Sequence, residues 1–317
     1  MLKQRPAWLP MAALTLAMLL WSSAFIALKN LLAVWGPGQV ICARMLVASV
    51  CFLLLFKYWR HIRYQAGDWR WLALMTLTEP CLYFLLEANA LNHTSAGQAG
   101  MVTATLPLMV SVMAFVLLGE RIRRVQLVGF LLALAGVVVL TLAGDEQPGA
   151  PNPVLGNLLE LGAMACAACY SVILKRLSSR YSPLFLTAMQ AFIGVLFFAP
   201  LAWHEPMPQQ LGLRELGAVL YLGACVTLGA YVLYNWAITQ LPVTIASAYT
   251  NLIPVFTLFL ACWLLGEAMN TMQLFACSVV LLGVIISQRG GRASTVPPVV
   301  VNELSVPSAQ GRALKET

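Results

Sequence analysis

Hydrophobic positions along the chain gather into long runs, cut by short polar or Pro- and Gly-bearing breaks. Ten runs result, at 8–28, 38–57, 71–91, 96–118, 125–143, 154–174, 183–203, 214–236, 243–264 and 270–288. Each is close to the roughly 20 residues that carry a helix across a hydrocarbon core. None alternates as a membrane strand does, and a lone strand leaves its backbone unsatisfied in lipid, so every run predicts a helix. The expected fold is an all-α integral membrane protein with ten transmembrane helices and the lipid bilayer as its first partner. Lys3 and Arg5 ahead of the first run resemble the start of a signal peptide, but nine further runs make it a retained span. From residue 290 the helical period is lost among Gly290-Gly291, Pro297-Pro298 and many Ser and Val, which predicts a disordered tail over 290–317.

Composition sharpens the picture. The chain is 60% hydrophobic and 10% charged, against about 25% charged in an ordinary soluble domain, and this excludes a water-soluble globule. The net charge of +7 belongs to Lys and Arg scattered between apolar runs, not to one basic face, so no nucleic-acid partner is expected. With the N-terminus inside, sixteen of the nineteen basic residues fall in cytoplasmic connections, among them Lys57, Arg60, Arg121, Arg123, Arg124 and Arg180. The positive-inside rule then places both termini in the cytoplasm, and the expected location is a cell inner membrane crossed many times. All eight cysteines lie in apolar runs, including the single C-x-x-C of Cys166 and Cys169, and read as inert buried thiols.

Sliding the chain on itself by 147 residues reveals a repeat. Thr103 meets Thr250, Pro107 meets Pro254, and Leu117-Leu118-Gly119-Glu120 meets Leu264-Leu265-Gly266-Glu267; Gly136-Val137 meets Gly283-Val284. A shift of 146 brings Lys29 onto Lys175. Residues 1–145 and 146–289 are thus expected to be two five-helix units. Five is odd, so the second enters the membrane from the opposite side. The charges agree: Glu120 precedes Arg121, Arg123 and Arg124, whereas Glu267 precedes Ala268, Met269 and Asn270. Two inverted repeats with a midplane site between them are an architecture of secondary transporters.

At this point a resemblance enters. Leu20-Trp21-Ser22-Ser23-Ala24-Phe25 leading to Lys29, Arg44 in span two, Ala90-Leu91 running through Thr94-Ser95-Ala96 to Pro107-Leu108, and Leu118-Gly119-Glu120 together resemble the EamA family of the drug/metabolite transporter superfamily, over about residues 8–288. The second repeat keeps Pro254 and Leu265-Gly266-Glu267. It lacks a Trp at the start of span six, and Gln190 or Ala191 stands opposite Arg44. The resemblance implies efflux of small metabolites, such as amino acids or related amphipathic compounds.

The residues offer candidates for a substrate pathway. Glu79, Tyr83 and Glu87 follow one another at i, i+4 and i+8 on one face of span three, with Pro80 beside the first. An unpaired ionised carboxylate at mid-depth costs at least about 2.5 kcal/mol, so it must face a polar cavity, pair, or take up a proton. Glu79 falls near the midplane and is the candidate for pathway lining or proton coupling. Arg44 and Glu87 match in depth to about one helical turn, which predicts an ion pair. Glu160, in the outer third of span six, reads as a residue near the aqueous interface. Pro107 and Pro254 each remove a backbone donor and so predict kinks that free the carbonyls of Thr103 and Thr250 toward the pathway. Trp21, Tyr249 and Asn251 complete the expected pathway. Tyr170, Tyr231, Tyr234, Asn235 and Trp236 could supply the rest of a cavity, but each taken singly reads first as packing or an interfacial anchor, Trp236 as a belt residue.

No phosphate-cradling Gly-rich motif, metal-ligand His pair or nucleophile elbow occurs, and no catalytic residue, metal or cofactor is expected. A secondary carrier working by alternating access fits these features, with a proton as the coupling ion to be tested. A polytopic membrane enzyme using the intramembrane Glu residues and a passive channel are the competing readings.

Overall fold

A computed structural model of the chain describes residues 8–60, 62, 64–118, 124–143, 149–178, 180–208, 211–240 and 249–291. Its regular elements are helices. Helix α1 (Trp8–Leu32) is followed by α2 (Pro37–Leu54) and a single turn, α3 (Phe56–Trp59). Helices α4 (Trp69–Thr76) and α5 (Tyr83–His93) form one column, joined by a wide π-helical stretch at Leu77–Leu82. The next column is α6 (Ala96–Val102), a tight turn at Thr103–Thr105 and α7 (Leu106–Leu118), and α8 (Arg124–Leu142) follows. Beyond them come α9 (Pro153–Leu177), α10 (Pro183–His204), α11 (Leu213–Leu220) leading through Tyr221–Ala230 into α12 (Tyr231–Gln240), α13 (Leu252–Leu260) extended by Ala261–Leu265, and α14 (Thr271–Gly291).

Local chemistry explains the helix starts. Pro37, Pro153 and Pro183 occupy first-turn positions, where the missing N–H costs nothing. Ser95, Asn152 and Ser182 accept the N–H of Gln98, Leu155 and Phe185, which satisfies a donor the first turn leaves open. Gly266 ends the stretch after α13 at φ 68, a left-handed turn suited to glycine.

Among the described residues seven helical segments are long and apolar enough to cross a membrane, which makes this a multi-pass membrane protein. The sequence predicts ten spans, and the differences have local causes. The column at 69–93 is interrupted where Glu79 leaves helical geometry (φ −146, ψ 116), so neither part reaches spanning length alone. Leu252–Leu265 and Thr271–Ser287 are apolar but shorter, and the first of them follows residues 241–248, outside those described. Gly119-Glu120 and the tail beyond Gly291 also lie outside the described residues. The helix of α14 itself extends to Gly291, past the expected start of the tail.

The helices meet at small residues. A Cβ on Gly129 of α8 would fall 2.4 Å from the Ser287 nitrogen of α14, and one on Gly136 would fall 2.8 Å from the Val280 nitrogen. Positions rising along α8 therefore meet positions falling along α14, so the two helices cross antiparallel, at backbone contact distance. Replacing each residue by the one 147 places away turns the contact of Gly129 with Gly283 into that of Ala276 with Gly136, which also occurs. Helices α2 and α10 pack antiparallel too: Gly194 lies against Met45 and Gly38 against Ala202. The other interfaces come in matched pairs, α5 on α9 with α1 on Tyr221–Ala230, and α1 on α13 with α7 on α9.

Candidate functional site

Within this packing, the column at 69–93 stays helical until Pro80, whose ring blocks a regular α-helical turn. The break turns the backbone carbonyl of Glu79 out of its own helix, where the Gln190 side-chain amide of α10 donates to it at 2.8 Å. The Glu79 side chain is buried and accepts a hydrogen bond from the Tyr231 hydroxyl at the start of α12. Around it Met45, Pro80, Phe84, Thr187, Gln190, Ala191, Thr227 and Tyr231 line a small, partly open space of about 10 Å³, room for no more than one water. Both sides of the chain contribute: α2 and the α4–α5 column from the first half, α10 and Tyr221–Ala230 with α12 from the second.

Arg44 stands beside this space. Its Nε donates to the Thr227 hydroxyl at 2.8 Å, and its guanidinium lies 4.3 Å from the centre of the Phe84 ring, a cation–π contact in a buried setting. Thr227 in turn donates to the Leu222 carbonyl at 2.9 Å, which fixes its oxygen toward the arginine. Trp21 closes the other side, its ring 5.3 Å from that of Tyr231 and 5.1 Å from that of Tyr234. One turn beyond, the Tyr83 hydroxyl donates to Glu87 at 2.6 Å. That bond fulfils the i, i+4 spacing read from the sequence.

Several expectations are corrected. No Arg44–Glu87 salt bridge forms; an ion pair joins Arg180 to Asp68 at 2.6 Å instead. Matched depth does not fix which way a side chain turns about its helix, and Thr227 and Phe84 take the arginine. Glu160 is not open to water: its side chain is fully buried against the neighbours of α9, with neither oxygen hydrogen-bonded among the described residues. The kinks at Pro107 and Pro254 do not free carbonyls for a pathway. Leu106 donates its N–H to Thr103, and Ile253 donates to Thr250 at 3.0 Å, a tightened turn in both halves. Tyr249 packs beside Leu14 and Ala237, and the Asn251 side-chain oxygen is buried without a partner among the described residues; neither lines the space at Glu79.

Sequence reasoning passed over Gln190, Thr187, Thr227 and Phe84 as site residues, and read Tyr231 as packing. A signal was present. Thr187 and Gln190 are three apart and Thr227 and Tyr231 four apart, so each pair interrupts an otherwise apolar helix on one face.

With the geometry in place, comparison with known proteins adds its own result. A family model described as the EamA-like transporter family matches the chain twice, over residues 8–142 and 154–288. The uncharacterized transporter YetK of Bacillus subtilis is 28% identical over 250 residues, covering 77% of this chain and 76% of its own length. An uncharacterized transporter of Archaeoglobus fulgidus is 26% identical, covering 86% and 95%. A probable terminal-alkyne amino-acid exporter of Streptantibioticus cattleyicolor is 27% identical, covering 87% and 92%. A solved crystal structure with 22% identity shares the fold, at a TM-score of 0.62 over 88% of this chain and 96% of that one. With family matches over residues 8–142 and 154–288, and helices long and apolar enough to span a membrane, the chain belongs to the EamA-like transporter family.

Proposed function

We propose that this transporter is a secondary carrier exporting small amphipathic or zwitterionic metabolites, amino acids among them. It works by alternating access between two inverted five-helix halves, 1–145 and 146–289, in a cell inner membrane, with both termini cytoplasmic. The observation that carries the reading is the space at Glu79, lined by polar and apolar residues of both halves. Support for inversion comes from the family model matching twice and from α8 meeting α14 in an antiparallel contact that maps onto itself when the halves are exchanged. Support for the substrate class comes from a relative named as an amino-acid exporter and from a lining that sets one carboxylate and aromatic faces among apolar groups.

Glu79 is the coupling residue in this reading. It exchanges its Tyr231 hydrogen bond for a substrate amine or a proton as the space opens to one side. Trp21, Arg44, Tyr83 and Glu87 tune its surroundings, while Tyr249 and Asn251 serve the pathway only if it widens toward α13. The test is counterflow of labelled amino acids into vesicles containing the purified protein. Saturable exchange that collapses in Glu79→Gln, or loses its dependence on a pH gradient, is the expected result. Unsaturable flux would mean a channel. Normal exchange by Glu79→Gln at every pH would remove the role given to this residue.

A further inference from the structure

Two carboxylates of the second half reach across to helix starts in the first. Glu205, just past the end of α10, accepts the backbone N–H groups of Gly38 and Gln39, both at 2.8 Å. Glu267, between α13 and α14, accepts those of Ala96 and Gly97, again both at 2.8 Å. The first turn of a helix leaves these donors without partners, at the positive end of its dipole, and a carboxylate binds them through charge-assisted bonds. The receiving turns leave room for the contact: a Cβ on Gly36 would fall 2.2 Å from Glu205 Oε2, and one on Gly97 would fall 3.0 Å from Glu267 Oε2. Both clasps lie on one face, because α2 begins where α1 ends and α6 begins where α5 ends. The opposite face has a clasp of another kind. Arg180 holds Asp68 at 2.6 Å, and the Tyr181 hydroxyl donates to Asp68 at 3.1 Å while accepting the Gln65 N–H at 3.1 Å.

All of these contacts join residues of 8–142 to residues of 154–288, and the space at Glu79 between the two faces holds no more than about one water. A metabolite enters only if the halves part on one side, and parting there breaks the clasps of that side. Resting on the carrier reading, the geometry points to Glu205 and Glu267 as the gating residues of the external face, with Asp68, Arg180 and Tyr181 closing the cytoplasmic one. Each clasp sits where water can replace the lost bonds once it opens, so closure is reversible.

The test uses the full chain carrying Ala191→Cys at the cavity wall, labelled with a membrane-impermeant maleimide in intact cells and in inverted vesicles. Labelling of the parent chain, with its native cysteines, is subtracted. Adding Glu205→Gln and Glu267→Gln is expected to speed external labelling about fivefold and to slow cytoplasmic labelling, whereas Asp68→Asn does the reverse. Where the double variant fails to reach the membrane, each single change carries the same test at about twofold. An unchanged external rate, or an equal rise from both sides, overturns the assignment. If Asp68→Asn shifts the rates reciprocally and the Gln variants do not, the external gate fails and the carrier reading stands. If no variant shows side-dependent labelling, the carrier reading itself fails.

Discussion

Glu79 combines three things that one residue position seldom holds: a buried carboxylate, a backbone turned out of its helix, and a hydroxyl donor from the other half of the chain. The carboxylate was legible in the sequence, because an acidic residue amid apolar neighbours beside a proline has few uses in lipid. Its donors were not, since Tyr231 and Gln190 lie 152 and 111 positions away. Tyr231→Phe takes the hydroxyl donor away from a buried carboxylate, so counterflow is expected to slow about tenfold and stability to fall by about 1–3 kcal/mol, read as a lower thermal midpoint. Glu160 behaves differently. Burying it without a donor opposes folding, and an apolar side chain of similar volume suits the site better. Glu160→Leu is therefore expected to hold or raise the thermal midpoint in detergent, and a lower midpoint would mean that a partner supports the carboxylate.

At the scale of elements, the close crossing of α8 and α14 rests on Gly129, Gly136 and Gly283. Lipid tails are as apolar as leucine, so association of these helices depends on van der Waals contact and not on hydrophobic transfer. A side chain at Gly136 meets the backbone of Val280, which has little freedom to move. Gly136→Val is expected to cost about 1–3 kcal/mol. Gly217→Ala, whose new Cβ has nothing within 4 Å, should leave stability equal or slightly higher by helix propensity, at most about 1 kcal/mol. Thermal unfolding in one detergent compares the two. The register of Gly136 on Gly283 was visible in the sequence, but the residues each of them faces were not. The prolines show the same division. Pro107 and Pro254 were visible as residues that remove a donor, yet the tight turns before them re-use the carbonyls the missing donors would have left open.

For the whole molecule, the paired interfaces and the duplicated family match put the same relation on two footings, one spatial and one sequential. Inversion makes a direct prediction at Arg121 and Ala268, which stand 147 positions apart. With Ala268→Cys, an impermeant thiol reagent should react in intact cells; with Arg121→Cys, it should react only in inverted vesicles. Reaction of both from one side would dissolve the two inverted halves and, with them, alternating access.

The sequence by itself determined the medium and the economy of the fold. Run length and low charge require helices in lipid, and the 147-residue register repeats them, because each of these depends only on order along the chain; the distribution of Lys and Arg gives the orientation proposed above. Tertiary structure alone decided which polar groups meet. Rotation about each helix axis is constrained by close contact between small residues of neighbouring helices, and that rotation directs Arg44 to Thr227, buries Glu160, and delivers Tyr231 and Gln190 to Glu79.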